Sequence, residues 1–530
     1  MRQAVVFVAA LGVMACAGDA PPVPFMPPDP GVDDAGTYEP VPGSCGLDAP
    51  AFCETFEAPP REAGGRAGEL DPARWSGVRG GPWGHPNFET AFPVGPARVP
   101  ECRAGRTGTL VMPDHDALVC DPIATIPTRH LLLAAAAQNY GLSTYRIRQP
   151  FDFAGRTGTI KLDVEVSGTW GWPAIVIGQD PSAAPSFDWE ERGSGPRHGV
   201  EIEFDGGWCG RYDTMRPNVY TFRDFVQEGP LGKTDDCALY AVNAPGQLNH
   251  VEIYLTQDHL EVWSSDASPD GIAFPHFHKV WAGDVDLGFT RGYVSLVGRN
   301  HATLKYWAGS SYNARWDNVG FDGPVVTGWR EASIEDSLGV VHGLPGCVVD
   351  GVCQWRGQTI EEHPDGADGA ACAESCDFDG EGRNVGYVVP RDDEPGGAGG
   401  AVGVGVTLTI PGVQTDGVRG ARLTLAADWP WFEWGGMFPP PTALHLKFRL
   451  NGGAWHDRFV DDGEVHAFAN YFPDVIDGPG GAGLLNQVID VPVGELRNGD
   501  NQLDLMTSGT WTGDYRLGVL GVDLVMDVAE

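Results

Sequence analysis

Apolar and polar positions alternate with a period of two through much of this chain, which predicts strands rather than helices. From Thr159 to Val166, Ile160, Leu162, Val164 and Val166 fall on one side and Lys161, Asp163 and Glu165 on the other. Val251, Ile253 and Leu255 repeat the pattern, and Thr256 to His259 reads as a turn into Leu260, Glu261, Val262 and Trp263, so a β-hairpin is expected there. Later, Leu423 and Leu425 precede Leu444, Leu446, Phe448 and Leu450, which alternate with His445, Lys447 and Arg449 and end at the turn Asn451-Gly452-Gly453. The run from His130 to Gln138 is the best helix candidate, but it has neither an amphipathic stripe nor a cap and reads equally as a buried strand. Short strands separated by turn signals favour antiparallel sandwiches over a parallel sheet with crossover helices. The expected fold is all-β: two antiparallel β-sandwich (jelly-roll) domains, at 45–325 and 326–530. The boundary is placed near Val325 to Gly328, where the strand-like stretch Trp316 to Pro324 gives way to a cysteine-bearing, Gly/Asp-rich segment.

The first residues break the pattern. Arg2 supplies a positive charge, Ala4 to Ala15 are small or apolar, and Cys16 follows. The apolar run is shorter than the roughly 20 residues a permanent membrane helix needs, so it reads as an export signal and is left out of the fold. Val13, Met14, Ala15 and Cys16 resemble a bacterial lipobox, which implies a signal peptide at 1–15 and a lipid on Cys16. An ordinary secretory signal cleaved near Ala20 is the alternative. Residues 16–44, rich in proline and acidic side chains and without apolar period, read as a disordered tether, since they cannot bury enough apolar surface to offset their ordering entropy. The expected location is the bacterial cell envelope: lipid-anchored at the outer membrane or cell surface, outside the cytoplasm, with no other membrane contact.

Composition agrees with export. Eleven cysteines, less the lipidated Cys16, leave an even number. Cys45 and Cys53, Cys102 and Cys120, Cys209 and Cys237, Cys347 and Cys353, and Cys372 and Cys376 are sequence neighbours and candidate disulfides, although spacing does not fix connectivity. A zinc cluster fits poorly, because CxxC pairs and zinc-finger histidine spacing are missing from the sequence. The 74 glycines and 43 prolines argue against long helices. A net charge of -37 repels phosphate backbones and makes nucleic acid an unsuitable partner, while suiting calcium, a saline habitat or simply a solubilising surface.

The most informative chemistry lies in Gly168 to Pro181 and His198 to Trp208. If Val200, Ile202 and Phe204 face the core, then Glu201, Glu203 and Asp205 share the other face. Three carboxylates on one strand face repel one another, and such a face calls for a metal, a hydrogen-bonding ligand or open solvent.

These residues resemble the concanavalin A-like lectin and glucanase superfamily, loosely over Phe52 to Asp322. The resemblance implies a curved jelly roll with a glycan site on its concave sheet. In family-16 glycoside hydrolases a strand like Trp172-Pro173-Ala174 precedes an acidic strand like Glu201, Glu203, Asp205, here with Asp and Glu exchanged at the last two places. That branch implies a retaining endo-glycanase on a β-linked polysaccharide, with Glu201 as nucleophile and Asp205 as proton donor. A retaining mechanism wants carboxyl groups about 5.5 Å apart. Positions four apart on a strand have Cα atoms ~13 Å apart, so two inward-leaning Glu side chains nearly close the gap and an Asp leaves it about 1 Å wider. In the legume-type lectin branch a strand like Glu203-Phe204-Asp205 supplies metal ligands beside the sugar. The resemblance then implies calcium held by Glu203, Asp205 and Asp213, although Cys209 stands where that family has an Asn.

Trp172, Trp208 and Tyr212 neighbour the acidic strand in sequence and are the candidate sugar platforms, because aromatic faces stack on sugar rings, although most tryptophans belong to cores. Asn486 to Leu505 resembles the late strands of galactose-binding-like jelly rolls, with a polar turn at Asn498-Gly499-Asp500 joining two strands. Asp377, Asp379 and Glu381 have oxygen ligands at alternate positions, as a calcium loop does, or form an acidic loop facing water. Trp429, Trp431 and Trp434 form either a binding edge or a packed loop. The leading expectation is a surface-displayed lipoprotein that binds polysaccharide without cutting it. The alternatives are the endo-glycanase and a structural or adhesive surface protein.

Overall fold

The computed structural model describes residues 45–47, 50–58, 66–67, 70–80, 92–94, 130–135, 142–167, 173–181, 196–206, 215–224, 226–231, 249–267, 273–299, 312–323, 326–334, 347–349, 352–355, 358–359, 388–389, 405–431, 443–461, 481–508 and 517–529. Among them the regular structure is strand, apart from a 3-10 turn at Val493–Glu495.

The first group of strands is β1 (Pro50–Glu54), β2 (Trp75–Gly80), β3 (Phe92–Val94), β4 (His130–Ala135), β5 (Leu142–Ile147), β6 (Phe151–Asp152), β7 (Gly158–Ser167), β8 (Ala174–Gly178), β9 (His198–Gly206), β10 (Met215–Arg223), β11 (Val226–Leu231), β12 (Asn249–Leu255), β13 (His259–Ala267), β14 (Ala273–Asp284), β15 (Arg291–Arg299) and β16 (Tyr312–Asp322). They form two antiparallel sheets. One runs β14-β13-β12-β7-β16-β4-β3 with β1 on β16; the other runs β11-β10-β9-β8-β15-β5-β2 with β6 on β15. Ile160, Leu162 and Val164 from the first sheet and Val200, Ile202, Phe204, Ile175, Ile177 and Leu296 from the second share one buried core, joined by Trp75, Trp316 and Phe321. This is a β-sandwich, and it is what the alternation in β7 and β9 requires, since each strand buries every second side chain. The hairpin expected at Thr256 to His259 is present as β12–β13, with the Thr256 amide donating to the His259 carbonyl. The run at His130 adopts the strand alternative over β4, because its apolar residues pair with β16 instead of supporting a helix.

The remaining strands are β17 (Trp329–Ser333), β18 (Cys347–Val349), β19 (Val352–Trp355), β20 (Gln358–Thr359), β21 (Val388–Val389), β22 (Val406–Val413), β23 (Val418–Trp431), β24 (Ala443–Leu450), β25 (His456–Asp461), β26 (Gly481–Asp490), β27 (Gly499–Ser508) and β28 (Leu517–Val528). A sheet β17-β28-β23-β26, with β21 on β28, faces a sheet β22-β27-β24-β25 across a second core that includes Leu423, Leu425, Leu446, Phe448, Leu503 and Leu524. The turn at Asn451 and Gly452 has φ of 53° and 71°, the left-handed pair that a tight hairpin turn demands. Asn498-Gly499-Asp500 does lead into a strand, but β26 and β27 lie in different sheets, so the segment is a crossover between layers.

Of the candidate disulfides, Cys45–Cys53 is formed, with Cα atoms 5.7 Å apart. Cys347 and Cys353 sit on paired strands, where Cys347 lies opposite Gln354 and Cys353 opposite Val348. Cys16, Cys102, Cys120, Cys209, Cys237, Cys372 and Cys376 lie outside the described residues, as do the signal and tether segments.

Candidate functional site on the second sheet

The strand β9 divides its side chains as the sequence requires. Val200, Ile202 and Phe204 enter the core, and Glu201 and Glu203 project from the opposite face. Cross-strand register sets the neighbours of each acid on that face. One row reads Tyr220, Glu201, Val176, Ser295, Arg146 and Ser76 from β10 to β2. The next reads Asn218, Glu203, Ala174, Val297, Thr144 and Val78. A third brings Phe222, Gly199, Gly178 and Tyr293 together.

The two acids differ in surroundings. Glu201 has 0% exposure and lies between Tyr220 and Val176, whereas Glu203 keeps 7% and neighbours the half-buried Asn218. The Asn218 amide donates to Glu203 Oε2 at 3.4 Å, a long bond. Beyond Glu203 the row continues with Ala174 and Val297, small apolar residues that are fully buried. Asp205 is on β9 opposite Arg216 of β10, one alternation further along. Trp172, Trp208, Tyr212 and Asp213 lie outside the described residues, as do Asp377, Asp379, Glu381 and Trp434. By connectivity, however, the segment carrying Trp208, Tyr212 and Asp213 joins the end of β9 to the start of β10, and Trp172 stands two residues before the start of β8. Trp429 and Trp431 are at the end of β23, opposite Gly483 and Gly481 of β26. Among the described residues no group of three or more His, Cys, Asp or Glu side chains is arranged to hold a metal ion.

Two charged clusters escaped the sequence reading. On the outer face of the first sheet, His250 of β12 is 4% exposed and bridges two carboxylates, Nδ1 to Asp163 Oδ1 at 2.7 Å and Nε2 to Glu252 Oε1 at 3.1 Å. Asn318 donates to Asp163 at 2.6 Å, Lys161 pairs with Glu252 at 2.7 Å, and the Tyr254 hydroxyl donates to Glu252. Burial pulls the His250 pKa down, but its hydrogen bonds to Asp163 and Glu252 outweigh this and raise it. Burial likewise opposes ionisation of Glu252, yet the hydrogen bonds from His250, Lys161 and Tyr254 bring its pKa down to about 2.

The second cluster joins the two sandwiches. Arg66 forms a bidentate pair with Asp523 of β28 at 2.7 and 3.0 Å. Arg146 of β5 does the same with Glu331 of β17 at 2.9 and 2.6 Å, and Arg148 reaches Glu331 as well as the Ser333 hydroxyl. Burial disfavours the Asp523 carboxylate, but Arg66 and Arg146 overcome that and hold its pKa far below the usual range. Arg422 of β23 pairs with Asp180, just beyond β8, at 2.9 Å, and Arg291 of β15 with Asp527 of β28 at 2.7 Å. Trp329 meets Tyr293 edge to face, with ring centroids 6.3 Å apart. The available sequence signal was the pair Arg146 and Arg148, alternating with the core residues Tyr145 and Ile147: two long cations on the outward side of a mostly apolar strand.

No family model and no curated protein matches the chain. Solved structures similar to it include lectin II from Ulex europaeus, 14% identical over 36% of this chain and 86% of that one, at a TM-score of 0.24. A legume lectin-like domain from Entamoeba histolytica is 10% identical over 37% and 84%, at 0.26. An immunostimulatory antigen and pseudo β-1,3-glucanase of Mycobacterium tuberculosis is 12% identical over 52% and 98%, at 0.25. These likenesses are low in identity and partial in cover, so the fold and the site rest on this chain's own strands and side chains.

Proposed function

We propose that this protein binds carbohydrate, without cleaving it, on the outward face of β8, β9 and β10, and that it does so as a lipoprotein held at the cell envelope through Cys16. The observation that carries this reading is the pair Asn218 and Glu203, an amide and a carboxylate side by side on adjacent strands, with Asn218 half-buried at the rim of the face. Sugar hydroxyls pair with carboxylates and amides, so this pair offers the polar part of such a contact. The resemblance of Glu203-Phe204-Asp205 to the metal-bearing strand of legume-type lectins supports calcium beside this pair. Trp208 and Tyr212 belong to the segment between β9 and β10, which suits them as aromatic platforms.

Binding is favoured over hydrolysis because the retaining mechanism assigns the nucleophile to Glu201, and that carboxylate is wholly enclosed at 0% exposure. A nucleophile has to meet the anomeric carbon of a polymer, whereas a binding face needs only its accessible rim.

A glycan array probed with the full-length protein, with calcium and with a chelator, tests the reading. Retention of at least one polysaccharide is expected, weakened more than tenfold by Glu203→Gln, the scale of losing a charged hydrogen-bond partner. Absence of binding under both conditions would leave the structural or adhesive alternative. Reducing-sugar release that disappears in Glu201→Gln would restore the hydrolase.

A further inference from the structure

The sequence holds two Asn-Gly steps, Asn451-Gly452 and Asn498-Gly499, and the second sandwich treats them in opposite ways. At such a step the backbone nitrogen of the glycine can attack the side-chain carbonyl carbon of the asparagine, since no glycine side chain shields it. The bond from that carbon to the amide nitrogen breaks, and ammonia leaves with the proton that the backbone nitrogen gives up. The resulting succinimide takes up one water at either carbonyl and opens to aspartate or to isoaspartate, in which the main chain runs through the side-chain carbon. Water is the only other reactant.

Asn451 is held against this reaction. It is half-buried, and its amide nitrogen donates to the Glu495 carbonyl and to Asn501 Oδ1, both at 2.8 Å, so the leaving group is pinned. Its oxygen accepts from the Gln502 amide at 3.1 Å. Asn498 and Gly499 are both exposed, and Gly499, with φ of 92°, has open space beside its Cα. Asn498 Oδ1 accepts from Thr415 twice, from the backbone amide at 2.7 Å and from the hydroxyl at 3.0 Å. Two donors on one carbonyl oxygen stabilise the negative charge that gathers there when the carbon is attacked. Both hydrogen bonds that the Asn498 side chain makes among the described residues end on its oxygen, so its nitrogen can depart.

We propose that Asn498 is a site of spontaneous deamidation in the native protein, activated by Thr415, and that the fold protects Asn451 from the same reaction. This stands apart from the carbohydrate-binding reading. The product places a further carboxylate in a turn region that already holds Asp416 and Asp500. Isoaspartate also lengthens the backbone by one carbon just ahead of Gly499, which opens β27 and pairs with Val413 of β22. The change is irreversible without a repair enzyme, so it accumulates with the age of the molecule and loosens that end of the β22–β27 pair.

The full-length protein is aged in mildly alkaline buffer, native and in denaturant, and its peptides are mapped by mass spectrometry with fragmentation that separates aspartate from isoaspartate. In the native protein the Asn498 peptide should convert while the Asn451 peptide stays intact, and in denaturant the two should convert at similar rates. Native conversion of Asn451 as fast as Asn498 overturns the proposal, and so does a native protein in which neither converts although both do in denaturant. Thr415→Val removes the hydroxyl donor and keeps the backbone one. It should slow native conversion of Asn498 roughly 2- to 10-fold, the scale of one hydrogen bond to the reacting oxygen, and leave the rate in denaturant unchanged. Native conversion that is unchanged or faster in Thr415→Val overturns the activating role of Thr415.

Discussion

At the scale of single residues, the chemistry concentrates where a strand's outward positions hold charge away from water. His250 illustrates this: Asp163 and Glu252 clamp its ring from β7 and β12, with Lys161, Tyr254, Asn318 and Asp317 around them. Its raised pKa means that its contribution to stability is fully present below the ordinary value of 6.5 and is lost as pH rises through the folded-state value. Glu252 works the opposite way, contributing above its ordinary 4.5 and losing that contribution as pH falls towards about 2. The cluster should therefore stabilise the fold most between pH 4.5 and 6.5. Thermal melts across pH should show a fall in Tm on the alkaline side that is absent from His250→Gln. An undiminished fall in that variant would rule out His250 as its source. Sequence alone marked Asp163 only as a polar alternate of β7, because a three-residue clamp drawn from two neighbouring strands has no signature along the chain.

At the scale of elements, the period-two pattern carried most of the information. It placed β7, β9, the β12–β13 hairpin and β24, and it assigned Glu201 and Glu203 to one face. It says nothing of what lies over that face, so the burial of both Glu201 and Glu203, beside a half-buried Asn218, was illegible. Register depends on close approaches that only a pairing map reveals. At Gly199 on β9, an added Cβ would lie 2.5 Å from the Ile177 carbonyl oxygen and 2.6 Å from Pro196. Neither neighbour can yield easily, since one is backbone of β8. Gly199→Ala should thus cost about 1–3 kcal/mol, the usual range for overpacking a close contact, and loosen the β8–β9 pairing that sets Glu203 beside Ala174. Chemical denaturation gives the first quantity. A parallel loss of glycan affinity in the folded fraction is the second expectation, and wild-type affinity would argue against the site.

At the scale of the whole molecule, the two sandwiches meet through buried ion pairs rather than a flexible joint. Removing one member of such a pair typically costs about 3–5 kcal/mol, because the partner stays buried and charged. Asp523→Asn should accordingly lower stability by that order, and calorimetry should find one cooperative transition in the wild type that separates into two in the variant. Two independent transitions in the wild type would contradict the coupling. The closing strand has a consequence for how the protein is made. Asp523 belongs to β28, which ends at Val528, and β17 at the start of the second sandwich pairs with that same strand. Arg66 must then wait through nearly the entire chain for its carboxylate, and Arg146 for Glu331 on the strand that pairs with β28. Synthesis delivers the N-terminal sandwich first, with cations already placed on a surface that will later be sealed. A chain cut short by a dozen residues would present that sticky, half-neutralised surface, which gives a folding chaperone or a protease a feature by which to tell unfinished molecules from complete ones.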